Sequence, residues 1–504
     1  MMEHFFYGLT QVFEWQNLLY MLLGVIAGIV VGGLPGLSVT IALALMLPFT
    51  FGMPASTAML LMLGVYCAGT YGGSIGAILL KTPGTPASAA TAADGFALSQ
   101  QGKAGRALNI SLYASVIGGL VSGLVLLFVS PQIASFALKF GPPEYFMLAL
   151  FGLTIVAGVS GQSLIKGLIT ACFGMLIATI GLDPMTGSPR FTFEQTFLQS
   201  GIPLIPALIG LFAISEIMNQ SAKRREKIST AVNFQHERFG WKHMFPFRKT
   251  IIKSSFIGVI IGAIPGTGGS IASFLSVNEA QRVSKKPKEF GNGSEESVAA
   301  AEAGNNGTTG ATLIPMMTLG VPGDVITAVL LSALLIQGLQ PGPQLFQSHG
   351  DLVYTVMVGF IVVNIIMFIV GKLAIRWFAK VTILPSSVLF PVVLMFCLIG
   401  SYAYNYSFHS VWIAIVFGLI GYMLPKFGFP VIPILIGMIL GPMAERSLRQ
   451  ALVLSEGSLF IFIERPLALT FLILIILSIF LPMLRKAYDQ KHQEVITGTK
   501  TEKM

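Results

Sequence analysis

Four Pro-Gly pairs, Pro35-Gly36, Pro83-Gly84, Pro265-Gly266 and Pro322-Gly323, lie in or beside apolar stretches and are crowded by small hydroxyl and amide residues. Such a pair breaks helical hydrogen bonding. In hydrocarbon each freed N–H or C=O costs several kcal/mol, so the break must be buried in protein or face a water-filled cavity. A broken helix offers its new N-terminus to an anion and its loose carbonyls to a cation. The neighbouring residues are Gly73, Ser38, Thr40, Thr70, Ser74, Thr82, Thr85, Thr267, Ser270, Asn305, Asn306, Thr308 and Thr309. They suit carboxylate oxygens and a cation held by neutral oxygens, with Na⁺ at the same breaks as a candidate metal. They do not suit bond-breaking catalysis, and no catalytic residue is assigned. Small residues also let membrane helices approach closely, so for any one hydroxyl packing competes with ligand contact.

Carboxylates near the breaks are few. Asp324 follows Pro322-Gly323 and is expected to cap a helix starting near Val325, with a coupling-ion or proton role as the alternative. Asp94 is expected in the Thr- and Ala-rich loop after Pro83-Gly84. Glu216, late in an apolar span close to the basic linker, reads as a snorkelling or interfacial residue in preference to a proton relay. Gly72-Gly73-Ser74-Ile75-Gly76 matches G-x-S-x-G, but that motif needs a strand-to-helix turn and a histidine base. The six histidines lie in loops or at span edges. Gly266-Thr267-Gly268-Gly269-Ser270 resembles a phosphate loop without its lysine. Cys67, Cys172 and Cys397 sit in apolar runs and read as core residues, neither disulfides nor metal ligands.

The elements that position these residues follow from composition. The chain has 504 residues, 54% hydrophobic and 11% charged. Soluble domains carry roughly 25% charged residues, so this chain cannot cover a water-facing surface. A mean hydropathy of +0.78 agrees. Apolar spans suited to membrane helices are predicted near 16–33, 56–80, 107–130, 144–160, 163–181, 201–219, 251–265, 299–320, 324–339, 352–375, 387–404, 408–425, 428–443 and 466–484. The fold class is thus an all-α polytopic membrane protein embedded in the lipid bilayer. The net charge of +9 comes from basic residues in the loops between spans. Lys223, Arg224, Arg225, Lys227, Arg238, Lys242, Arg248, Lys249 and Lys253 form the largest cluster, read as a cytoplasmic loop that fixes orientation. No basic module with interleaved aromatics accompanies it, so nucleic acid is not a partner. The N-terminus lacks a basic n-region and a cleavage site, so the first span is expected to be retained.

Four landmarks recur in order. Gly32-Gly33-Leu34-Pro35-Gly36 returns as Gly262-Ala263-Ile264-Pro265-Gly266, and Gly73-Ser74-Ile75-Gly76-Ala77 as Gly307-Thr308-Thr309-Gly310-Ala311. Pro83-Gly84 is matched by Pro322-Gly323, and GIPLIPALIG at 201–210 by GFPVIPILIG at 428–437. Two homologous repeats, at 1–222 and 251–484, therefore flank a basic linker at 223–250, with a polar tail at 485–504. The first eighty residues hold no Lys or Arg, whereas the tail carries Arg485, Lys486 and Lys491. That asymmetry suggests an outside N-terminus, a cytoplasmic C-terminus and inverted repeats with re-entrant segments.

At these motifs the chain resembles the large membrane subunit of the tripartite tricarboxylate transporter family, TctA. Matching stretches are GGLPGLSVTIALALMLPF at 32–49, YGGSIGAILLKTPGTPASAATAADG at 71–95, GAIPGTGGSIASF at 262–274 and EAGNNGTTGATLIPMMTLGVPGD at 302–324. Asp324 departs from the small serine-like residue common in the family. The resemblance implies a secondary transporter in the bacterial inner membrane, driven by an ion gradient (Na⁺ or H⁺) without other cofactors. It implies a small membrane subunit (TctB-like), a periplasmic solute-binding protein (TctC-like) and a rocking or elevator-like movement. It also implies citrate or another organic carboxylate as substrate. Within this reading Gly36, Ser38, Pro83, Gly84 and Thr85 shape one half of a site. Pro265, Gly266, Thr267, Asn305, Asn306, Pro322 and Gly323 shape the other. A passive carboxylate channel, an intramembrane hydrolase and a scaffold without a pathway are the rival readings.

Overall fold

The computed structural model describes residues 2–34, 36–159, 163–222, 239–381 and 386–480. Pro35, most of the basic linker (Lys223, Arg224, Arg225, Lys227 and Arg238 included) and the 485–504 tail lie outside the described residues. The chain opens with α1 (Met2–Val12), α2 (Trp15–Gly33), α3 (Val39–Met46), α4 (Ala55–Leu80), α5 (Ala89–Gln100) and α6 (Ala104–Ala137). Helices α7 (Pro142–Val159) and α8 (Leu164–Ala178) precede a small antiparallel hairpin of β1 (Gly181–Leu182) and β2 (Pro189–Arg190). A π-helical turn at Ile209–Ile214 then joins α9 (Leu204–Leu208) to α10 (Ser215–Ala222). Next come α11 (Arg248–Gly262), α12 (Gly268–Val283), α13 (Glu295–Leu319), α14 (Val325–Ile336) and α15 (Pro343–Ser348). The rest is α16 (Gly350–Val381), α17 (Ser386–Asn405), α18 (Phe408–Lys426), α19 (Ile432–Leu454), α20 (Ile461–Glu464) and α21 (Pro466–Phe480).

Each span expected from hydropathy has its helix, and six helices among the described residues are long and apolar enough to cross a membrane. On α18, Trp412, Val416, Leu419 and Met423 are all exposed, at the spacing of one helical face. That stripe is what a lipid-facing helix shows. Six helices go beyond the hydropathy reading: α1, α3, α5, α12, α15 and α20. The 89–100 segment corrects an expectation, because Asp94 lies on α5 and not in a loop. Its alternating small and polar residues hide a helix that tertiary packing stabilises.

The described residues form two compact units, Met1–Lys139 with Thr192–Phe427, and Phe140–Phe191 with the described part of Gly428–Met504. Each unit takes chain from both halves of the sequence. In the first unit the centre is α4 and α13, where every residue from Thr57 to Leu79 and from Ser297 to Thr318 is buried. Close packing needs small residues. On α2, Gly24, Gly28 and Gly32 face the α4 backbone, and an added methyl would lie 2.3, 2.7 and 2.4 Å from the carbonyl oxygens of Leu61, Val65 and Gly69. Helix α11 repeats the device against α13, with Gly258 2.3 Å by the same measure from Gly304 O. Backbones this close trade side-chain volume for helix–helix dispersion contacts.

In the second unit, Gly174 of α8 and Gly437 of α19 face each other's backbones, a methyl falling 2.1 Å from Ile434 O and 2.3 Å from Ala171 O. Met147, Ala451, Phe462, Ala468 and Ile475 form its apolar core. At the hairpin, Arg449 Nη1 donates to Asp183 at 2.9 Å and Arg190 Nη1 to Glu445 at 2.6 Å.

Candidate functional site

All four breaks fall between helices: between α2 and α3, α4 and α5, α11 and α12, and α13 and α14. In the earlier half, Gly36 adopts φ 85°, a left-handed turn that excludes a β-carbon at little cost only for glycine. Ser38 then caps α3, its Oγ accepting from Ile41 N at 3.3 Å, and Thr40 is buried in the helix's first turn. Lys81 ends α4 in a left-handed conformation. Beyond it, Gly84 N donates to Gly73 O at 3.2 Å. A methyl on Gly84 would lie 2.1 Å from Gly32 O, so the two breaks of this half close on each other. Pro83 precedes that contact, and the Thr85 and Ser88 hydroxyls bond to each other at 2.7 Å.

The later half closes in the same way. Gly266, at φ 82°, donates its N–H to Gly323 O at 2.7 Å. That bond joins the Pro265-Gly266 turn to the Pro322-Gly323 turn. Thr267 Oγ1 donates to Ile261 O at 2.5 Å and Ile264 O at 2.8 Å, sealing the end of α11. Asp324 caps α14: its Oδ1 accepts from Thr327 N at 2.7 Å, and Thr327 Oγ1 accepts from Asp324 N at 2.8 Å.

The halves meet at Gly269, the second residue of α12. A methyl there would lie 2.5 Å from Asn305 Oδ1, 3.3 Å from Thr308 Oγ1 and 3.4 Å from Ala87 Cβ in the loop after Pro83-Gly84. Nearby, Tyr66 OH of α4 and Thr312 Oγ1 of α13 bond at 2.9 Å. The two asparagines differ. Asn305 Nδ2 is buried with no hydrogen-bond partner among the described residues, a free donor at the junction. Asn306 Nδ2 is engaged, donating to Ser115 Oγ at 2.8 Å and Glu302 O at 3.1 Å.

Several candidate hydroxyls turn back on their own helices. Thr308 and Thr309 donate to Asn305 O and Asn306 O at 2.7 Å each. Ser74 donates to Tyr71 O at 2.7 Å and meets Ser111 Oγ at 2.6 Å. It lies within α4, not on a strand-to-helix turn, and no histidine among the described residues bonds to it. These groups satisfy backbone and neighbours first. What remains for an anion is neutral: Asn305 Nδ2, the Thr85–Ser88 hydroxyls and the backbone at the helix starts.

A buried acid on α13 was not singled out from sequence. Glu302 of α13 is fully buried, accepting from Thr91 Oγ1 at 2.5 Å and Ser115 Oγ at 3.0 Å. Its signal was available, because it is the only charged residue between Glu296 and Asp324.

A profile of the Tripartite tricarboxylate transporter TctA family matches residues 18–436. A protein of Agrobacterium vitis, described as an uncharacterized 52.8 kDa protein in the TAR-I ttuC' 3'region, is 34% identical over 483 residues, 94% of this chain and 95% of that protein. A second, described as an uncharacterized protein in the TAR-II ttuC' 3'region of the same organism, is 34% identical over 237 residues, 46% of this chain and 98% of that protein. No solved structure matches the chain.

Proposed function

The chain belongs to the TctA family of tripartite tricarboxylate transporters, a transporter and not an enzyme family, and from that premise we propose that it is the large permease subunit importing a tricarboxylate or related organic carboxylate. In this reading it lies in the bacterial inner membrane with its C-terminus cytoplasmic. A small TctB-like membrane subunit accompanies it, and a TctC-like periplasmic binding protein delivers substrate. Uptake is coupled to a Na⁺ or H⁺ gradient. The observation that carries the proposal is the junction at Gly269, where break loops from both halves meet the unpartnered Asn305 amide. Unpaired donors beside helix starts are what a carboxylate needs, and no ionised partner has to be desolvated to supply them. The matching φ of Gly36 and Gly266, and the break-to-break closure in each half, support reading the halves as repeats, inverted as the charge asymmetry suggests.

The test is uptake of labelled citrate, then of a carboxylate panel, into proteoliposomes holding the chain with its small subunit and binding protein. Saturable accumulation that depends on an inward Na⁺ or proton gradient is expected. Downhill, unsaturable flux indifferent to either gradient would point to a passive channel. Silence across the panel with all components folded would end the carboxylate reading.

A further inference from the structure

Glu302 sits on α13, the helix that carries Asn305 and Asn306, and it has no exposure to solvent. A carboxylate removed from water needs a countercharge, a metal ion or a proton. Among the described residues Glu302 takes part in no ion pair, and no cluster of His, Cys, Asp and Glu suited to a metal is present. Its oxygens instead contact hydroxyls directly: Thr91 Oγ1 of α5 at 2.5 Å and Ser115 Oγ of α6 at 3.0 Å. Ser111 Oγ of α6 bonds to Ser74 Oγ at 2.6 Å.

The charged groups on the elements packed around α13 are engaged elsewhere or, like Arg248 and Lys249 of α11, exposed. Asp94 of α5 accepts from the N–H groups of Gly291, Gly293 and Ser294. Arg106 of α6 pairs with Glu295, and Lys253 of α11 pairs with Glu279 of α12. Asp324, ahead of α14, caps that helix. Lys81, at the end of α4, lies over the Phe96 ring. Tyr71 of α4 is the exception, its hydroxyl being buried without a partner among the described residues. Asn306 Oδ1 is likewise buried and unpartnered, while its Nδ2 holds Ser115 against the carboxyl.

We propose that Glu302 is a proton-binding site, with Thr91 and Ser115 as the hydroxyls that accommodate the carboxyl both with and without its proton. Each hydroxyl can donate to a carboxylate or accept from a carboxylic acid by rotating its O–H. The chain Asn306–Ser115–Glu302 places the proton on the helix that bears the Asn305 amide, so loading the acid and occupying the anion site act on one element. The proton would then be the coupling ion, which deepens the permease reading and rests on it for its role in transport.

Infrared difference spectroscopy of the purified chain tests the proton itself, whatever the chain transports. The wild type is expected to show a protonated-carboxyl C=O band at neutral pH that Glu302→Gln lacks. Thr91→Val, which keeps the acid and removes one hydroxyl, should move that band to higher wavenumber. Identical carboxyl regions in wild type and Glu302→Gln would overturn the proposal. For coupling, the ratio of proteoliposome uptake with and without an inward proton gradient should fall to one in Glu302→Gln. A Glu302→Gln ratio equal to that of the wild type would overturn the coupling role. If the wild type moves no carboxylate under any gradient, the permease reading fails, and the infrared result still decides the proton site.

Discussion

Adjacent asparagines on α13 have different duties, and substitution should separate them. Asn305 Nδ2 has no partner, so Asn305→Ala removes no hydrogen bond and should alter stability by under about 1 kcal/mol. Carboxylate uptake by that variant should nonetheless fall at least tenfold, as expected when a contact worth about 1.4 kcal/mol is lost. Asn306→Ala breaks the bonds to Ser115 Oγ and Glu302 O, and should lower stability by about 1–2 kcal/mol. Uptake paired with thermal unfolding of the purified variants checks both; equal destabilisation by the two would contradict the division. At this scale the sequence pointed to the segment that carries both asparagines without resolving how their side chains bond. Hydroxyls on Thr308 and Thr309 looked like ligands, but in a helix a threonine readily bonds the carbonyl one turn back, as both do. Glu302 was visible as a lone acid in an uncharged run. Its partners Thr91 and Ser115 are 211 and 187 residues away, and no local pattern announces them.

Among elements, the glycine stripes set how the helices stack. Gly28 of α2 faces backbone atoms, Val65 O and Gly69 N, which cannot move aside as a side chain can. Gly28→Ala should therefore destabilise by about 1–3 kcal/mol, the ordinary cost of overpacking. Gly240→Ala has open space at the same position and should be silent. Thermal midpoints of the two detergent-purified variants test this directly, and equal midpoints would remove the stripe's structural role. The long helices were legible because hydropathy reports lipid and core alike. Helices α3, α5 and α12 were not. They are short, flank the breaks and draw stability from their neighbours: Asp94 of α5, for example, holds three backbone N–H groups of the segment leading into α13. Propensity summed over such a segment says little when tertiary contacts decide it.

For the molecule as a whole, acidity bears on the second unit through its hairpin. Backbone N–H of Met185 and the Arg449 guanidinium hold the Asp183 carboxyl down at about 2. A folded-state value below the unfolded one means stabilisation that is complete above the ordinary carboxylate range and lost as pH falls toward 2. Asp183→Asn should thus lower the thermal midpoint at neutral pH, and the gap from wild type should narrow as the medium is acidified. A gap independent of pH would show that charge is not what Asp183 contributes. The two-unit division itself was not legible in the sequence, where the repeat suggested a split at the basic linker. Compactness follows contacts instead, and these place Phe140–Phe191 with the chain from Gly428 onward. That arrangement has a consequence for biosynthesis. A ribosome delivers α7, α8 and the hairpin long before α19 exists, so the Gly174 groove that Ile434 will fill emerges into the bilayer with its mate still untranslated. For that interval lipid, or the insertion machinery, has to cover the groove, and a chain cut short before Gly428 leaves it open for good.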